Sequence, residues 1–193
     1  MRKADREREI TGEGLKRKGL QMSDNLYEQM QLYKELIRSW SKRINLLSGK
    51  DIGLIIEDHF LDSIGPINEF PMSGQFIDIG SGSGFPGIPL ALLRPQATFT
   101  LTESVHKKIL FLREVKRKLE LGNVEIIEGR FEDLLSERIY DIATVRALPK
   151  IESFIEKIKK IVRPGGKIVY YYKRGQYQIM PITGSRLPSG NKL

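Results

Sequence analysis

The sequence contains no cysteine, only two histidines and a single tryptophan in 193 residues. The first absence excludes disulfides and thiol chemistry, and His59 and His106 alone are too few ligands for a zinc site, so no metal is expected. No apolar run approaches the roughly 20 residues that span a bilayer. Ile88-Pro-Leu-Ala-Leu-Leu93 is far too short, and no apolar segment follows the basic N-terminus as a signal peptide requires. A cytoplasmic protein with no membrane partner is therefore expected. Acidic residues are also outnumbered: 24 Asp and Glu against 32 Lys and Arg give a formal net charge of +8. A small-molecule enzyme gains nothing obvious from that excess, whereas binding to a polyanion such as nucleic acid does. The basic residues gather between Arg2 and Lys18, between Lys107 and Lys118, and from Lys173 onward. Solvated helix faces are the other reading of such clusters.

Against these absences stands one dense motif, Phe76-Ile-Asp-Ile-Gly-Ser-Gly-Ser-Gly-Phe-Pro-Gly-Ile-Pro-Leu90. Phe76, Ile77 and Ile79 are strand formers, and Gly80, Gly82 and Gly84 follow at alternate positions, where the missing side chains let backbone approach a ligand. Asp78 discriminates between two cofactor classes. The pyrophosphate of a dinucleotide rests on amides at a helix N-terminus, and a carboxylate at the strand end opposes it. S-adenosylmethionine has no phosphate; it carries a sulfonium and an ammonium, which an acid suits. Pro86 and Pro89 also remove amide donors that a diphosphate needs. The motif therefore favours S-adenosylmethionine over NAD, with a ligand-free glycine turn as the bland alternative.

The rest of the chain fits an α/β protein. Residues 1–21 read as a basic arm, loose or forming a frayed first helix. Residues 22–72 read as a helical region. Ser23 is placed to cap a helix whose apolar stripe is Leu26, Met30, Tyr33, Ile37, Trp40 and Ile44, and a second helix is expected over 52–64. Trp40 in that stripe reads as core rather than as a base-stacking residue. Residues 73–175 alternate strands near 75–79, 98–102, 123–127, 141–145 and 167–172 with helices near 87–94, 105–120 and 150–162 and a turn of helix at 131–138. That pattern predicts a doubly wound, mostly parallel sheet. Val105, Ile109, Leu112, Val115 and Leu119 are the expected buried face of the second of these helices, Arg163-Pro-Gly-Gly166 a turn, and 176–193 an irregular tail.

Ligands of such sheets bind beyond the carboxyl ends of the strands, where strand order reverses. The first end offers Asp78, the glycines and Phe85, which is placed to cover a cofactor. Glu103 lies about twenty residues further on, the spacing at which an acid meets ribose hydroxyls; it could equally cap the following helix. Phe131 and Glu132 could meet the adenine, or be a core residue and a first-turn acid. Arg146 ends the fourth strand. His59 touches RNA or cofactor, or is a helix-surface histidine.

These residues together resemble the bacterial glucose-inhibited division protein B family, methyltransferases that modify a guanine N7 in small-subunit (16S) ribosomal RNA. The similarity rests on Asn45-Leu46, His59-Phe-Leu-Asp-Ser-Ile64, Asp78 to Leu90, Lys107-Lys-Ile-Leu-Phe-Leu112, Gly122-Asn-Val124, Gly129-Arg-Phe-Glu132 and Arg146-Ala-Leu148. It implies a class I S-adenosylmethionine-dependent methyltransferase fold with an N-terminal helical extension and a shortened C-terminal tail. It also implies cofactor contact by Gly80, Phe85, Phe131, Glu132 and Arg146. The partner is then 16S ribosomal RNA or a small-subunit particle, and a monomer is expected. Guanine N7 has a free lone pair at neutral pH, so no general base is expected. The family usually continues past the fifth strand with a helix and closing strands, which the short tail here leaves no room for. A non-catalytic RNA-binding or ribosome-assembly protein that keeps the cofactor fold is the alternative.

Overall fold

The apolar runs after residue 74 pair into one sheet in the computed structural model, which describes residues 3–47, 55–134, 139–146 and 151–183. Its strands are β1 (Gln75–Ile79), β2 (Thr98–Glu103), β3 (Val124–Glu128), β4 (Tyr140–Arg146), β5 (Val162–Lys173) and β6 (Gln176–Pro181). Among the described residues the order is β3-β2-β1-β4-β5-β6, parallel throughout except for β6, which runs antiparallel to β5. Order reverses between β1 and β4. The helices are α1 (Lys3–Lys16), α2 (Asp24–Ser41), a π-helical turn at Ile55–Phe60 that runs into the short α3 (Leu61–Ser63), α4 (Gly87–Leu93), α5 (His106–Lys118) and α6 (Glu152–Ile161). The expected helical residues 52–54 and 135–138, the Ala-Leu pair after Arg146 and the tail from 184 lie outside the described residues.

Side chains alternate across a strand, so each strand feeds two cores. Phe76, Phe99 and Leu101 point to one side, where they meet Leu26, Met30, Tyr33 and Ile37 of α2 and Phe111 and Leu112 of α5. Ile77, Ile79, Ala143, Val145 and Ile168 point to the other, against Ile158 and Ile161 of α6. The first cluster joins the N-terminal helices to the sheet as one apolar body. Ser23 caps α2 as its sequence predicts, accepting from the Leu26 amide at 3.1 Å. Trp40 is half-buried and meets the Phe111 ring edge-on at 5.8 Å. Asn123 closes the turn between α4 and β2, its amide 3.1 to 3.2 Å from the carbonyls of Ala91, Arg94 and Ala97.

Four expectations are corrected. The N-terminal arm is not loose, because α1 docks on the layer beneath it: Leu15 and Thr11 are fully buried. Glu7 accepts from Lys34 Nζ and Gln31 Nε2, each at 2.7 Å, and Lys18 Nζ donates to the Gly65 carbonyl at 2.6 Å. Burial alone raises the Glu7 pKa, but these two partners outweigh it and hold the carboxyl below its usual range. The tail is not irregular from 176, because Gln176–Pro181 folds back on β5 through a tight turn at Arg174-Gly175. Arg163 to Gly166 stays within β5 as a bulge, where Tyr140 faces Val162 but Ile142 faces Lys167. Val105 precedes α5 and is 46% exposed; Phe111 takes the buried place expected of it.

The docking of α1 has a measurable consequence. Leu15→Ala should lower unfolding free energy by about 2–5 kcal/mol. The exposed neighbour Arg17→Ala should stay within about 0.5 kcal/mol of the parent. Urea unfolding followed by circular dichroism checks both, and equal effects would mean that α1 does not contribute to the fold.

Candidate functional site

The carboxyl ends of β1, β2 and β3 enclose a cavity of about 350 Å³ beside the point where strand order reverses. Its lining includes Ile79, Gly80, Thr102, Glu103, Phe131, Glu132 and Phe154. Of the residues singled out in sequence, Gly80, Glu103, Phe131 and Glu132 therefore meet around one space. Gly80 has φ +69°, and a Cβ built there would meet nothing within 4 Å, so its backbone lies open to the cavity. Phe131 faces Phe154 with ring centres 6.0 Å apart, and Glu132 lies 3.7 Å from Lys157 Nζ.

Glu103 lines the cavity and also caps the helix that follows it, one of the two readings of its sequence position. Its Oε1 accepts from the amides of Ser104 at 2.8 Å and Val105 at 2.9 Å, which starts α5. Its Oε2 accepts from the Gly82 amide at 2.9 Å and so fixes the glycine loop from across the cavity. Gly82, with φ +56°, is not among the cavity's lining residues and is held there by its amide.

Asp78, Gly84, Phe85 and Arg146 lie elsewhere. Asp78 shares the face of Phe76, not that of Ile79, and is 1% exposed. Its Oδ1 accepts from Thr144 Oγ1 at 2.7 Å and its Oδ2 from the Gly87 amide at 3.2 Å, so one carboxylate ties β1, β4 and the start of α4. Burial pushes its pKa up to about 6, against the lowering effect of those hydrogen bonds. Gly84 has φ +91°, and a Cβ there would sit 2.7 Å from Tyr33 Oη and 2.8 Å from Ile88 Cγ1. The close approach it permits is to the helical layer. Tyr33 Oη donates to the Ser83 carbonyl at 2.6 Å, and Phe85 packs between the rings of Tyr33 and His59, at 5.2 and 5.3 Å.

Arg146 leaves the end of β4 towards α3, where its Nη2 pairs with Asp62 Oδ2 at 2.7 Å and its Nη1 lies 3.3 Å from Ser63 Oγ. His59 Nδ1 is 3.3 Å from the same guanidinium. His59 therefore sits between Phe85 and Arg146, inside the layer that covers the loop. Sequence reading missed Thr144, Tyr33 and Phe154, and the pairing of Asp62 with Arg146. Thr144 and Tyr33 could have been found from strand parity and the α2 stripe, whereas nothing local joins Asp62 to Arg146, 84 positions away in the chain.

Two variants separate these roles. Gly84→Ala should cost about 2–4 kcal/mol of stability through strain and collision with Tyr33 and Ile88. For Asp78 the sign follows from a raised acid pKa: the native state binds the proton more tightly than the unfolded chain. Its contribution is full below pH 4 and is lost as pH rises through about 6. Relative to the parent, Asp78→Asn should therefore gain roughly 2 kcal/mol between pH 4.5 and 7.5. Urea melts at the two pH values read this difference, and a constant offset would show that Asp78 is not charged at a cost.

Comparison with known proteins identifies the family and the fold. A family profile described as rRNA small subunit methyltransferase G matches residues 26–182. "Ribosomal RNA small subunit methyltransferase G" of Shigella flexneri is 35% identical over 162 residues, 84% of this chain and 77% of that protein. The protein of the same name from Escherichia coli K12 matches to the same extent. Among solved structures, a precorrin-6y C5,15-methyltransferase from Geobacter metallireducens superposes with a TM-score of 0.51 at 18% identity, over 65% of this chain and 64% of that one. A putative transferase from Pyrococcus horikoshii reaches 0.54 at 18% identity, over 67% of this chain and 46% of the other. The structural likenesses establish a class I methyltransferase fold, and the sequence matches go further, the profile running from within α2 to just past β6: the chain belongs to the rRNA small subunit methyltransferase G family.

Proposed function

We propose that the chain transfers a methyl group from S-adenosylmethionine to N7 of a guanine in small-subunit (16S) ribosomal RNA, as a cytoplasmic monomer. The family supports methyl transfer and an RNA substrate. The observation that carries the cofactor reading is the cavity at the ends of β1 to β3, because its walls match the parts of that molecule. Ile79, Phe131 and Phe154 offer apolar surface to a purine, and Gly80 leaves its backbone open. Glu103 has three amides on its oxygens, which leaves about one of its four lone-pair sites for a ribose hydroxyl. Asp78, buried beneath the loop, shapes it without entering the cavity.

Bound there, S-adenosylmethionine would supply an electrophilic methyl on a positively charged sulfur, which guanine N7 would take with its own lone pair as the carbon–sulfur bond breaks and the neutral thioether leaves. The protein then has no proton to move at N7. Its task is to hold two partners at about 3–3.5 Å in the right direction. Glu103 and the walls of the cavity orient the donor, while Arg146 takes a cofactor carboxylate or an RNA phosphate. Positive charge appears on the base as the methyl arrives, so a bare cation against the ring would oppose the reaction. The Asp62 carboxylate on Arg146 offsets that charge.

Titration calorimetry should find S-adenosylmethionine binding and no NAD binding. Gly80→Val should weaken it about tenfold or more, since the side chain would enter the open space over Gly80. Labelled methyl should reach small-subunit RNA and give strand scission after borohydride and aniline treatment, with no pH-dependent loss traceable to a base. Cofactor binding without methyl transfer would return the reading to a binding protein. Methylation that resists scission would place the methyl on another atom.

A further inference from the structure

We infer that Tyr172, at the carboxyl end of β5, is a stacking platform for an unpaired nucleobase of the RNA strand that reaches the site; this rests on the RNA reading above. Tyr172 is 47% exposed, one of four large apolar or aromatic side chains among the described residues left so open. Its position is what distinguishes it. Arg146 at the end of β4 pairs in register with Tyr171, so Tyr172 stands just beyond the level where β1 opens into Gly80. Side-chain alternation puts Ile168, Tyr170 and Tyr172 on one face. Ile168 and Tyr170 pack in the same cluster as Ile79 and Phe131, so this is also the face on which the cavity opens. Two strand spacings, about 10 Å, separate β1 from β5. A base stacked on Tyr172 would therefore lie close along the strand to a guanine presented to the cavity.

The ring is held out rather than left over. Tyr171 Oη donates to the Ser63 carbonyl at 2.7 Å, and the Gly175 amide donates to Asp62 Oδ1 at 2.6 Å, so the strand is pinned on both sides of Tyr172. Tyr170 supports it from below with ring centres 6.0 Å apart. A rigid aromatic loses little entropy on stacking, and any base offers a π-face to it. The neighbouring side chains of Lys173 and Arg174 are exposed and cationic, which suits a phosphate backbone and argues for RNA over an apolar protein surface.

The test uses the full chain, a single-stranded purine oligoribonucleotide, and inorganic polyphosphate as a probe of charge alone. Tyr172→Ala should weaken oligonucleotide binding about fivefold or more, Tyr172→Phe should restore it, and both should bind polyphosphate and S-adenosylmethionine as the parent does. Tyr172→Trp should report directly, with emission quenched by the oligonucleotide and not by polyphosphate, against a background of Trp40 alone measured in the parent. An oligonucleotide affinity within twofold of the parent for Tyr172→Ala, a parallel loss of polyphosphate binding, or unquenched Tyr172→Trp emission overturns the platform and leaves the methyltransferase reading standing. Failure of the parent to bind RNA while it binds cofactor would instead overturn the RNA reading and the platform with it.

Discussion

The buried carboxylate of Asp78 is the constraint on which the site depends. A charge withdrawn from water must be matched by donors, and the Thr144 hydroxyl and the Gly87 amide supply them. In doing so they fix the end of β1 against β4 and aim the start of α4. The glycine loop between these anchors then has little freedom. Glu103 ties it at Gly82 from one side, and Tyr33 ties it at Ser83 from the other. The cavity is what remains between these fastenings and the apolar walls of Phe131 and Phe154.

This arrangement explains why the fold was legible and part of the site was not. β1 to β4 begin and end within two residues of their sequence expectations, because apolar runs and glycine turns mark them locally; β5 starts five residues early because its bulge hides in a Pro-Gly-Gly segment that reads as a turn. Glu103, Gly80, Phe131 and Glu132 were singled out by their distance from strand ends, which is also a local property, and they line one cavity. Asp78 was read as facing the ligand because it lies near a strand tip, yet period-two alternation already separated it from Ile77 and Ile79. The β6 strand was lost because Pro181 and the glycines around it weaken strand propensity, while pairing with β5 makes up for it.

The N-terminal helices change meaning once Tyr33, Phe85, His59 and Arg146 are seen together. An appended helical region could be an independent module, but here its side chains complete the loop that borders the cavity. Gly84 approaches Tyr33, Phe85 is held between Tyr33 and His59, and Asp62 receives Arg146. α1 then closes over this layer through Leu15, Glu7 and Lys18. A disturbance far from the cavity in sequence can thus reach the loop through one or two packed side chains.

Three of the acids in and around the site share a feature that bears on its chemistry. Asp78 accepts from Thr144 and Gly87, Glu103 from three amides, and Asp62 from Gly175 while it pairs with Arg146. Each of these three spends most of its hydrogen-bonding capacity on backbone or another side chain, and Glu132, the other acid in the cavity wall, lies 3.7 Å from Lys157 Nζ. A reaction that needed a general base would require one such oxygen directed at a substrate proton, within hydrogen-bond reach and with a pKa suited to the task. The most perturbed carboxylate, Asp78, is the one least able to serve, since it lies beneath the loop and outside the cavity. A nucleophile that arrives with its lone pair already free, such as the guanine N7 proposed above, asks for orientation alone, and what these acids hold in place is the loop and strand ends around the cavity.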